Sequence, residues 1–98
     1  MVVEHIVLFK WKADAPADLK ASFAADVLAL RKSMAFIVEA KAGETFTKER
    51  NQGYDHVIII TLPDREHLPK YATHESHVAL LDKYNPHLEG KLAMDIER

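Results

Sequence analysis

Two stretches of this chain are apolar on both faces of an extended backbone, and that pattern constrains the fold more than any other feature of the sequence. Val2 to Lys12 reads as a strand, with Val3, His5, Val7, Phe9 and Trp11 on one face and Glu4, Ile6, Leu8, Lys10 and Lys12 on the other. Tyr54 to Leu62 reads as another, and its Val57-Ile-Ile-Ile60 centre is apolar on both sides. A chain of 98 residues is one domain, near the lower end of what sustains its own core. Such a chain has to cover both sides of the sheet that these strands build.

The remaining segments supply one covering. Asp14 and Pro16 open a helix, Asp18 suits its positive end and Arg31 and Lys32 its negative end. Leu19, Phe23, Val27 and Leu30 form its buried stripe. A strand follows over about Ala35 to Gly43, with Phe36, Val38, Ala40 and Ala42 on one side, and Thr45 to Gly53 forms a polar, flexible connection. Pro63-Asp64 ends the Tyr54–Leu62 strand, and Asp64 caps a short helix that runs through Tyr71 and carries Pro69 near its start. A further helix starts at Thr73 or His74 and ends at about Tyr84, ahead of Asn85-Pro86. Leu92, Met94 and Ile96 alternate with polar or small residues in a last, edge strand.

The order βαββαβ predicts an α+β, ferredoxin-like fold over residues 1–98, with a four-stranded antiparallel sheet and helices on one face. The other face then needs a second copy of the same sheet. The expected partner is a homodimer mate, with Ile6, Leu8, Ile58 and Ile60 at the interface.

Composition removes several classes of function. A formal charge of -2, with no basic run longer than two residues, makes no electrostatic case for nucleic acid. The first twelve residues alternate polar and apolar, unlike a signal peptide or a membrane span, so no membrane partner is expected. Without cysteine there are neither disulfides nor thiolates, which suits the cytoplasm. The three glycines are isolated, so no phosphate loop or dinucleotide fingerprint is present and no cofactor is expected.

Acid–base chemistry concentrates in Tyr71-Ala-Thr-His74-Glu-Ser-His77. His77 shares a helix face with Leu81 and Tyr84, so it turns inward and can serve as a general base. Tyr71 can donate its hydroxyl to a developing enolate oxygen, or pack its ring at the end of the short helix. His5 lies on the Val7/Phe9 face, where it can orient His77, pair with Asp95, or simply be a hydrogen-bonded buried imidazole. The expected pocket lining is His5, Val7, Phe9, Phe23 and Leu81, between the helices and the helix-facing side of the sheet. Burial should lower the His77 pKa, unless Asp95 or Glu75 lies close enough to raise it. His74 and His77 at i, i+3 could share a metal, but no third ligand is placed by the sequence, so no metal is expected. His56, His67 and His87 stand among polar neighbours and receive no role, and Trp11 and Tyr54 are core or rim aromatics.

His5-Ile-Val-Leu-Phe-Lys, Gly53-Tyr-Asp-His-Val, Tyr71-x-x-His74-x-x-His77 and the closing Asp95 together resemble the stress-responsive dimeric α/β-barrel (Dabb) domain family. The resemblance covers essentially the whole chain. It implies a ferredoxin-like protomer whose sheet meets that of a second copy to close a barrel. A plant branch of that family comprises polyketide cyclases of the olivetolic acid type. By position in the pattern, that branch implies catalytic roles for Tyr71 and His77, with His5 and Asp95 beside the same pocket. Glu75 replaces a proline common in the family, and Leu88 stands where the cyclases carry a bulky aromatic, so the cyclase substrate does not transfer. The expected function is a homodimer with a small apolar pocket per protomer. The alternative is a cyclase or lyase acting on a carbonyl or polyketide-like compound. A cofactor-light monooxygenase follows only from analogy of fold.

Overall fold

The computed structural model describes residues 1–98 and shows the elements β1 (Val3–Trp11), α1 (Ala17–Leu28), α2 (Leu30–Ser33), β2 (Glu39–Glu44), β3 (His56–Leu62), α3 (His67–Thr73), α4 (Glu75–Tyr84) and β4 (Leu88–Glu97), with a 3-10 turn at Asn85–His87. The strands form one antiparallel sheet in the order β2-β3-β1-β4, the ferredoxin-like α+β arrangement. No helix is long and apolar enough to cross a membrane.

β1 is a central strand, so its alternation sets both faces of the sheet. Val3, Val7, Phe9 and Trp11 turn toward the helices and are buried with Ile58, Ile60 and Leu62 of β3. Phe23 and Val27 of α1, Leu30 of α2, Tyr71 of α3, and Leu80 and Tyr84 of α4 complete this core. The opposite face carries Ile6 and Leu8, paired with Ile59 and Val57 of β3 and with Met94 and Leu92 of β4.

That register corrects the expected interface. Ile58 stands opposite Val7 and Ile60 opposite His5, and the two are 3% and 0% exposed beneath the helices. Within a run of four apolar residues nothing local marks the inward parity; pairing with β1 decides it, and the outward pair is Val57 and Ile59. Leu92, Met94 and Ile96 extend the open apolar face and are 40%, 60% and 55% exposed.

The first covering helix also departs from expectation. It breaks at Ala29, leaving Leu30 in α2 but still in the core. A turn at Ala35 and Phe36 then delays β2 until Glu39, which rephases the segment. Met34 and Ile37 become the buried residues, while Val38 is half exposed.

Phe23 sits at the middle of the core, edge-on to Tyr84 at 4.8 Å, Phe9 at 5.0 Å, Trp11 at 5.4 Å and His56 at 5.7 Å. Such edge-to-face pairs set the negative ring face of one partner against the positive edge of the other. His56 is therefore not among polar neighbours as expected: its Nδ1 accepts the Trp11 Nε1–H at 2.9 Å. Tyr84 donates its hydroxyl to Asp26 at 2.6 Å, and Lys83 reaches the same carboxylate at 2.7 Å, fastening α4 to α1. The resulting prediction is that Phe23→Ala lowers unfolding free energy by about 3–5 kcal/mol in urea titrations, because cavity formation adds to lost burial. Val38→Ser, at a half-exposed site, should change it by about 0.5 kcal/mol or less.

Candidate active site

The site forms where the α3–α4 corner folds over the His5 end of β1. His74 leaves the helical region (φ -62, ψ 139) and caps α4, its Nδ1 accepting the Ser76 N–H at 3.1 Å. The sharp corner brings the Ala72 carbonyl within 2.9 Å of His77 Nδ1. A carbonyl only accepts, so the neutral His77 ring holds its proton on Nδ1 and leaves Nε2 as the basic atom. Tyr71, in the last turns of α3, places its ring 4.4 Å from that imidazole, with 44° between the planes.

From the sheet, His5 meets Tyr71 edge-on at 5.5 Å. Asp95 stands directly opposite His5 across the β1–β4 ladder, with its Oδ1 2.6 Å from His5 Nδ1. The carboxylate accepts this hydrogen bond and fixes the ring, leaving Nε2 of His5 as the free nitrogen.

Burial governs the electrostatics. Tyr71 is 1% exposed, and its hydroxyl has no hydrogen-bond partner in the protein. Burial pushes its pKa well above the ordinary 10, so the phenol remains a proton donor throughout the neutral range. An unpartnered buried hydroxyl costs about 1–3 kcal/mol, a cost that a hydrogen-bond partner reaching it would offset. His77 is half-buried, and desolvation lowers its pKa; the Ala72 carbonyl opposes this, and the charges of His5 and Lys91 reinforce it. Neither Asp95 nor Glu75 raises it, and Asp95 is instead committed to His5.

A cleft of about 410 Å³ opens over these groups, with largely apolar walls. His5, Val7, Phe9, Phe23, Leu81 and Asp95 line it, together with Tyr71 and His77. Ile58, expected at the open face, is also in its wall, and Lys91 is at its edge. The one signal for Lys91 was strand parity: it shares the helix-facing side of β4 with Ala93 and Asp95. His74 does not line the cleft, and no three His, Asp or Glu side chains converge as metal ligands. A second cleft, of about 580 Å³, lies beside Trp11, Lys20, Glu44, Asp55 and His56. It is larger and more polar, but the Tyr71–His77 pair does not reach it.

His77 and His56 both have pKa values lowered first by desolvation. Below the ordinary imidazole value of 6.5 the unfolded chain therefore binds protons that the fold refuses, so stability falls as pH drops through 6.5. Urea midpoints at about pH 7.5 and about pH 5.5 should differ in that sense, and the difference should shrink in His77→Gln.

Residues 3–98 match the family model described as Dabb, Stress responsive A/B Barrel Domain. The olivetolic acid cyclase of Cannabis sativa is 26% identical over 96 residues, covering 97% of this chain and 95% of that protein. A dimeric protein of unknown function and ferredoxin-like fold from Bacteroides fragilis superposes with a TM-score of 0.85 at 26% identity, covering 99% of this chain and 96% of that one. The hydroxynitrile lyase of Passiflora edulis shares the fold, with a TM-score of 0.87 at 17% identity over 97% of this chain and 91% of that one.

Proposed function

Because the chain belongs to the stress-responsive A/B barrel (Dabb) family, we propose that it is a homodimeric lyase or cyclase acting on a small carbonyl compound held in the His5–Tyr71–His77 cleft. The observation that carries this reading is the buried, unpartnered Tyr71 hydroxyl beside an imidazole kept neutral by desolvation. A purely structural tyrosine would be expected to meet a backbone group or another side chain. A carbonyl ligand supplies the missing acceptor.

The chemistry follows from the two fixed tautomers. His77 Nε2 takes a proton from the carbon beside a carbonyl, and the C–H electron pair moves into the enolate. The Tyr71 O–H donates to the oxygen that gains charge. The enolate carbon then forms a bond to a second carbonyl carbon of the same ligand, and the new alkoxide recovers the proton from the His77 imidazolium. The reverse sequence cleaves such a bond. His5, held by Asp95, positions the ligand from the sheet side. The likeness to a cyclase supports this class of reaction. Ligand binding without turnover uses the same cleft, and mutant kinetics separate the two.

Proton abstraction can be read directly as deuterium exchange at the benzylic carbon of phenylacetone, followed by NMR in D2O. His77→Ala should slow any catalysed exchange by about 100-fold or more. Tyr71→Phe should bind comparably, exchange more slowly, and be as stable as the parent or slightly more so, since the hydroxyl has no partner to lose. Exchange that is unaltered in His77→Ala would place the base elsewhere.

The homodimer is supported by the open apolar face of Ile6, Leu8, Val57, Ile59 and Met94, and by the dimeric Bacteroides fragilis protein. An uncovered patch of this kind is what a second sheet buries. Light scattering at micromolar concentration should give the mass of two chains, and Leu8→Asp should give one chain or unfolded protein.

A further inference from the structure

Lys91 is the charged group of the cleft that no opposite charge in the protein answers. It stands opposite Phe9 on β4, and its Nζ lies 5.8 Å from the centroid of the Phe9 ring. Seven ion pairs form in the protein and Lys91 is in none of them. Asp95, the carboxylate on the same side of the same strand, is taken up by His5.

The helix-facing row of β4 therefore runs from Asp95 through Ala93 to Lys91, with His5, Val7 and Phe9 opposite them in turn. Its two charged ends are about 14 Å apart at the strand rise of ~3.4 Å per residue. The acidic end is neutralised and the basic end is open. Asn85 lines the cleft with Lys91 and adds an amide donor. Lys91 is exposed at the mouth of the cleft, and partial desolvation by the cleft wall lowers its pKa.

We infer that Lys91 is a specificity-determining residue, pairing with a carboxylate carried by the ligand, so that the compounds taken by this cleft are keto acids. The inference rests on the reading of the cleft as a carbonyl-compound site and deepens it. Charge at Lys91 then orients the ligand: its acid lies over Phe9, and its carbonyl lies toward Tyr71 and His77. An apolar wall alone would hold the ligand without fixing which end enters first.

The test uses a matched pair of probes, 3-benzoylpropionate and its methyl ester, which differ in the charge and one methyl group. Titrated into the intact protein by NMR, the acid should bind about tenfold or more tightly than the ester, with a preference that weakens as salt is added. Lys91→Met should abolish the preference without weakening the ester, and Lys91→Arg should keep it. Lys91→Met should also melt close to the parent, since the ammonium is in no ion pair and its contact with the Phe9 ring is an exposed one. Equal binding of acid and ester by the parent protein overturns the role of Lys91 while leaving the carbonyl site intact. Binding of neither probe overturns both readings. A preference that persists in Lys91→Met, or a covalent adduct on Lys91 after borohydride treatment, also overturns ion pairing as its function.

Discussion

The alternation of β1 is the constraint on which everything else in the molecule depends. This strand has neighbours on both sides, so its odd residues must serve the helices and its even residues the open face. His5 is odd and Ile6 is even. The cleft and the apolar face consequently lie back to back, one strand thickness apart, and neither can be shifted in register without displacing the other. His5 finds Asp95, and Leu8 finds Val57 and Leu92, through one and the same pairing scheme.

Much of this was legible in the residues, and the misreadings share a cause. The element order, the helix stripe of Phe23, Val27 and Leu30, and the edge position of β4 follow from local periodicity. What failed required knowledge of the partner strand or of a turn. Ile58 and Ile60 lie in a run where every residue is apolar, so only pairing with β1 tells inside from outside. Phe36 and Val38 were phased as strand, yet the turn at Ala35 and Phe36 hands burial to Met34 and Ile37. In the cleft, Tyr71, His77 and His5 stand out as a phenol and imidazoles against an apolar background, whereas Asp95 is pointed to by the family resemblance. Lys91 could not be named, because a lysine in an edge strand reads as solvated until its parity with Asp95 is known.

The cleft combines satisfied and unsatisfied polar groups within a small space. His5 and the Nδ1 of His77 have hydrogen-bond partners, the buried Tyr71 hydroxyl has none, and the exposed Lys91 ammonium has only the face of Phe9. Leaving the Tyr71 hydroxyl unmatched is destabilising, and the packing around Phe23 and the Tyr84–Asp26–Lys83 contacts offset that cost. A site of this kind holds its groups ready without letting them relax onto one another.

The contact between Trp11 and His56 has an optical consequence. Trp11 is the only tryptophan in the chain, and it is buried, hydrogen-bonded to His56 and edge-on to Phe23, which lines the cleft. An indole in apolar surroundings emits toward the blue, and a nearby imidazolium quenches it. The protein thus carries a built-in fluorophore with two inputs. The Nε1–H bond to His56 and the edge contact with Phe23 set this indole between the polar cleft and the apolar one, so the emission of a single native chromophore is the label-free place to look for a change at either.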